Sequence, residues 1–165
     1  MRDIRDLTLE DLKDIKEEAS SYINKIAAGS GVANAIPLPG IGEGYDITMM
    51  ISAMKTIARK YGLDDDQVNS YPEAIRVAIY EVAKETTTKL VGKKLTEAAV
   101  KAILKKMGTR FATKSVLRFV PIVGQIVSGA ISAALMKAML EDWNKDCYYT
   151  AKKVIQQLEK KKLHS

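Results

Sequence analysis

The sequence is poor in the residues from which active sites and disulfide scaffolds are built. Cys147 is its single cysteine, so no internal disulfide can form, and a reducing, cytoplasmic compartment is the expectation. His164 is its single histidine and stands next to last. That leaves no Ser-His-Asp or Cys-His pairing and no histidine-based metal site. Cys147 sits in a helical pattern near Trp143 and reads as a packing residue. There is no Gly-x-x-x-x-Gly-Lys-Ser/Thr loop, and Gly92-Lys93-Lys94 has neither the earlier glycine nor the hydroxyl. Gly40-Ile41-Gly42-Glu43-Gly44 opens a helix pattern without a preceding strand, which fits a helix start better than a dinucleotide loop. Asp64-Asp65-Asp66 reads as a helix cap, although a carboxylate-only site stays open. No enzyme, cofactor or metal is expected. Residues 1–18 alternate acid and base and contain no apolar signal-peptide core.

Aromatic residues make up only 6% of the chain and hydrophobic ones 47%, so Ala, Ile, Leu, Met and Val must fill the interior. That composition suits helix packing, and no stretch reads as a strand. The fold class expected is all-α: a compact multi-helix bundle in one domain, 1–165, with frayed tails at 1–7 and 160–165. Thr8 and Asp11 form a capping-box-like start to a helix with Leu12, Ile15, Ala19, Ile23 and Ile26 on one face. A second helix is expected over 42–61, with Ile47, Met50, Ile51, Met54 and Ile57 as its stripe and Gly62 as its stop. Ser70 and Glu73 suggest a capping box around Pro72, followed by helix through 74–90 that weakens at Thr86-Thr87-Thr88. A short amphipathic helix over 95–107 buries Val100, Ile103, Leu104 and Met107, shows Lys101, Lys105 and Lys106, and ends at Gly108. The last helix runs from about 124 to about 160 through Ile131, Leu135, Met139, Trp143, Val154 and Leu158.

Two proline and glycine breaks punctuate this pattern, at Pro37, Pro39 and Gly40 and again at Pro121 and Gly124. Proline turns the preceding residue away from helix, and glycine accepts angles that other residues resist. Both breaks are read as structural hinges. Between Phe119 and Met136 there are eighteen residues without a charge. Gln125, Ser128 and Ser132 dilute that run, and its small residues suit either a buried helix or a segment that enters lipid.

The net charge of +6 is unevenly placed. Residues 1–20 carry four bases and seven acids, whereas residues 84–118 carry ten bases and only Glu85 and Glu97 as acids. Lys152, Lys153, Lys160, Lys161 and Lys162 add a basic tail. Such blocks attract phosphate-rich surfaces or simply face solvent. Lys93, Lys94, Lys101, Lys105 and Lys106 are the candidate lipid- or anion-binding residues, on or just before the 95–107 helix, which would lie in an anionic interface. The alternative is a soluble helical module docking on a protein partner, with the acidic N-terminal helix as a docking face. Nucleic acid is a weaker third reading, because no reading motif and few aromatics for stacking are present. A small-molecule substrate is not expected.

The run Ala35-Ile36-Pro37-Leu38-Pro39-Gly40, then Tyr45-Asp46, an apolar helix and Tyr61-Gly62-Leu63-Asp64 resembles the C-terminal helical region of immunity-related (interferon-inducible) GTPases. Phe119-Val120-Pro121-Ile122-Val123-Gly124 and the helix through Leu140-Glu141-Asp142 match that family's closing segment more loosely. Similar breaks occur in uncharacterised bacterial GTPase-associated helical domains. The resemblance covers about residues 20–68 and 116–158 and leaves the GTPase domain without a counterpart, so nucleotide binding is not carried over. It implies an all-helical module concerned with membrane targeting, or with a partner such as a GTPase. By order along the chain, residues 95–107 correspond to the family's lipid-binding amphipathic helix. The localisation implied is cytoplasmic, peripheral to a membrane.

Overall fold

A computed structural model describes residues 1–28, 47–114 and 133–164, with residues 108–114 and 133–134 described by backbone alone. Among the described residues there are six helices and no strand: α1 (Leu9–Ala28), α2 (Ile47–Lys60), α3 (Asp65–Ser70), α4 (Glu73–Ala83), α5 (Glu97–Lys114) and the long α6 (Ala133–Leu163). The all-α expectation and the long C-terminal helix are therefore observed. The hinge residues Pro37, Pro39, Gly40, Pro121 and Gly124 lie outside the described residues, as does most of the uncharged run 119–136. No described helix is long and apolar enough to cross a membrane.

The described chain groups into two compact units. One comprises Met1–Ser20, Met54–Leu95 and Asp142–Ser165, and the other Ser21–Ala53 and Thr96–Glu141.

In the first unit, α1 begins as its sequence predicts. The Thr8 N–H donates to the Asp11 carboxylate at 2.8 Å, and the Asp11 N–H donates to Thr8 Oγ1 at 3.1 Å. These bonds satisfy amides that no earlier helical turn can reach. The Thr8 hydroxyl also donates to the Asp11 carboxylate at 2.7 Å and, together with the Thr8 N–H, holds that carboxyl below its ordinary pKa. Leu12, Ile15 and Ala19 are buried on one stripe. Ile4 is fully buried, and its N–H donates to the Tyr71 hydroxyl at 3.2 Å. The same hydroxyl donates to the Gly62 carbonyl at 2.8 Å. An apolar side chain and two buried hydrogen bonds thus fasten the N-terminus.

Gly62 ends α2 in the left-handed region, at φ +72°. Leu63, Val68 and Tyr61 follow or flank it in the core. The Asp64 N–H donates to Gln67 Oε1 at 3.1 Å, so Asp64 does start the short α3, with glutamine completing the box. Ser70 differs from expectation. Its hydroxyl donates to the Gln67 carbonyl at 2.6 Å, closing α3, and Pro72 is the residue that precedes α4. α4 also stops at Ala83 and does not continue to Leu90. Three consecutive β-branched threonines disfavour helix, and the Thr86 hydroxyl instead donates to the Ala83 carbonyl at 2.7 Å. Val77 on α4 is half exposed.

In the second unit, Ile23, Ile26, Met49, Met50, Ala53, Val100, Leu104, Met107, Leu135, Met136, Met139 and Leu140 are buried. Thr96 caps α5, its hydroxyl accepting the Ala99 N–H at 3.2 Å. Gly108 does not stop α5, which passes through it to Lys114. An interior glycine costs a helix only about 1 kcal/mol, less than the turns on either side restore.

Candidate functional surface

The five lysines singled out by sequence do not share one unit. Lys93 and Lys94 are exposed at the end of a segment of the first unit, while Lys101, Lys105 and Lys106 are exposed on α5 in the second. On α5 the helical period separates charge from core as predicted. Val100, Leu104 and Met107 are buried and Ile103 is half-buried. Lys101 and Lys105, one turn apart, lie together on the outer face, with Lys106 beside them. Lys101 makes an exposed ion pair with Glu97 at 3.5 Å, the kind of contact that contributes little to stability. Over residues 97–107 the apolar side of α5 is turned inward, and the exposed charges are the three lysines and Glu97.

Lys93 and Lys94 follow Gly92, whose φ is +78°. A Cβ there would stand 3.0 Å from Ile79 Cγ2 and 3.4 Å from Tyr80 Cε1. The glycine therefore lets this segment lie close on α4. The stretch before it is held to α6. The Asp146 carboxylate accepts the Thr87 N–H at 3.2 Å and the Thr88 N–H at 2.7 Å, while the Tyr149 hydroxyl donates to Glu85 at 2.7 Å. Asp146 is buried, and burial pushes its carboxyl above the ordinary carboxylate pKa, against the hydrogen bonds that favour its ionised form. Sequence reasoning passed over Asp146. Its partners lie about sixty positions away, and the only local signal was the threonine run that breaks α4.

Other polar groups of the first unit are spent on structure. Trp143 Nε1 donates to the Met54 carbonyl at 2.8 Å. The Tyr61 hydroxyl donates to Asn144 Oδ1 at 2.6 Å, and the Asn144 amide donates to the Lys16 carbonyl at 3.2 Å. Burial raises the Tyr61 phenol far above its ordinary value and does the same to the Cys147 thiol, which keeps that thiol protonated and inert. Of the three clustered acids, Asp64 pairs with Arg59 at 2.8 Å, and Asp65 lies 3.8 Å from Lys55. Protein cations thus answer two of the three charges, and Asp66 is exposed.

The chain matches no protein-family model and no solved structure. It is 26% identical over 137 residues to "Interferon-inducible GTPase 5" of Rattus norvegicus, and equally to the protein of that name from Bos taurus. The chain is similar to part of an interferon-inducible GTPase. The match takes in 82% of this chain but 30% of each relative, so the chain spans about a third of the length of the curated relatives it matches. The described part of the matching chain is helical throughout its regular structure.

Proposed function

We propose that this chain is a non-catalytic helical module that adsorbs on anionic membrane surfaces through the lysines of α5. One observation carries the reading: α5 buries Val100, Leu104 and Met107 and presents Lys101, Lys105 and Lys106 to solvent. Over residues 97–107 the apolar side is taken up by the protein's own fold and leaves no hydrophobic face to lay into a bilayer, so adsorption there is electrostatic and the second unit stays closed. Each lysine near an anionic leaflet contributes roughly 1 kcal/mol. Lys93 and Lys94 add to the attraction from the first unit.

The test is flotation with vesicles of phosphatidylcholine, with or without phosphatidylserine. Wild-type protein is expected to float only with the anionic vesicles. K101E/K105E/K106E is expected to lose at least tenfold in affinity while melting as the wild type does. Undiminished binding by that variant would remove α5 from the membrane contact.

A second reading is favoured by the similarity to a helical portion of a GTPase: the module docks on a GTPase partner. Failure of the wild type to bind either vesicle, together with capture of a purified interferon-inducible GTPase, would favour docking over adsorption.

A further inference from the structure

The lysines of the basic stretch noticed near the end of the sequence lie on α6. α6 continues as helix to Leu163, so these lysines are displayed on a rigid rod within the first unit. Trp143, Cys147, Thr150, Ala151, Val154 and Ile155 are buried and turn one side of the rod inward. Lys145, Lys152, Lys153 and Lys160 stand at i, i+7, i+8 and i+15 and are all exposed. At the helical period these positions share one face over about 22 Å. Lys161 and Lys162 extend the charge at the end of the rod. Between 145 and 162 there are six lysines and two acids, Asp146 and Glu159, and Asp146 is buried beneath Thr87 and Thr88. The opposing charges on α6 are half-buried Asp142, which pairs with Lys145 at 3.5 Å, exposed Glu159, and exposed Glu141, which pairs with Lys137 at 3.8 Å. Glu85 also lies at this side, bonded by the Tyr149 hydroxyl. The face is strongly cationic after these are counted.

We propose that this lysine face of α6 is a second contact for an anionic lipid surface, distinct from α5 and carried by the other unit. It rests on the reading above only in taking the same class of partner. Two features select lipid over nucleic acid. The face carries lysine and no arginine, and lysine is a hydrated point charge without the planar fork that recognises individual phosphates. Such charges suit a diffuse headgroup layer. The neighbouring rings are also engaged: Lys153 lies over Tyr149 at 5.6 Å from the ring centre, and Lys16 over Tyr148 at 4.7 Å. Rings covered by ammonium groups do not offer platforms for bases.

The experiment uses the full chain and the same two vesicle compositions. K152E/K153E/K160E is compared with wild type, with K101E/K105E/K106E and with the combination of all six changes. All altered lysines are exposed, and circular dichroism with thermal melting confirms the fold of each variant; lysine-to-glutamine triples replace any that fails to fold. Three reversed charges at about 1 kcal/mol per base predict a loss of at least tenfold for the α6 triple alone, and a further loss when it is added to the α5 triple. Wild-type affinity in the α6 triple overturns the inference, whatever the α5 triple does. A loss in the α6 triple with none in the α5 triple keeps the inference and removes the earlier reading. Tighter binding of wild type to a single-stranded oligonucleotide than to anionic vesicles, lost in the α6 triple, would reassign the face to nucleic acid and overturn the lipid contact.

Discussion

Gly62 shows how one residue without a side chain holds the first unit together. Its φ of +72° lies where an L side chain costs roughly 1–2 kcal/mol. A Cβ there would also stand 2.9 Å from the Ile4 nitrogen and 2.9 Å from the Tyr71 hydroxyl. Neither neighbour is free to retreat. The Ile4 N–H and Tyr71 hydroxyl are bonded to each other, and the hydroxyl also donates to the Gly62 carbonyl. Gly62→Ala is therefore expected to cost more than about 2 kcal/mol, as strain adds to a damaged buried hydrogen-bond pair. Urea denaturation followed by circular dichroism measures this. A loss within about 0.5 kcal/mol, the range of an unconstrained surface change, would contradict the account. The sequence already marked Gly62 as the stop of a helix. It held no sign that Ile4, in a stretch read as frayed, would close over that glycine, because the contact depends on Tyr71, far along the chain.

At the scale of elements, legibility followed locality. The start of α1, its buried stripe and the division of α5 into core and charge were all readable, because each depends on residues within a few turns of one another. The end of α4 was read too late. Its threonines carried the warning, but the segment from Thr86 to Leu90 takes its path from Asp146 on α6. This fastening has a pH signature. Burial raises the Asp146 carboxyl above the ordinary value of about 3.9, so within that interval the folded chain binds more protons than the unfolded chain. The Asp146 contribution then favours folding most below the unfolded pKa and declines as pH rises through the folded one. Asp146→Asn removes the titration and replaces one of two acceptor oxygens by a donor, leaving a buried amide without a partner at a cost of about 1–3 kcal/mol. The variant is expected to be less stable than wild type, with the gap narrowing as pH rises from about 3.5 towards neutrality. Paired urea melts across that range check this, since the other carboxyls cancel in the difference. A gap that widens with rising pH would show that the ionised carboxylate is the favoured form.

Across the whole molecule, charge is sorted along the chain, with acids concentrated in residues 1–20 and bases in residues 84–118 and 145–162. The basic residues were legible in sequence. Their distribution over the two units was not, because residues 93–106 form one stretch along the chain. The consequence is testable without any mutation. Lysines exposed to water act through a field whose reach is about 10 Å at 0.1 M salt and about 3 Å at 1 M. An apolar segment entering the bilayer would hold at both. Binding through exposed lysines on closed helical units is therefore expected to fall steeply from low to high salt on phosphatidylserine vesicles, to be absent from phosphatidylcholine alone, and to release no trapped dye. Retention in 1 M salt with dye leakage would mean that buried residues such as Val100, Leu104 and Met107, or the uncharged run 119–136, reach the hydrocarbon. The α5 helix would then act by opening its fold, and charge would serve only to bring it there.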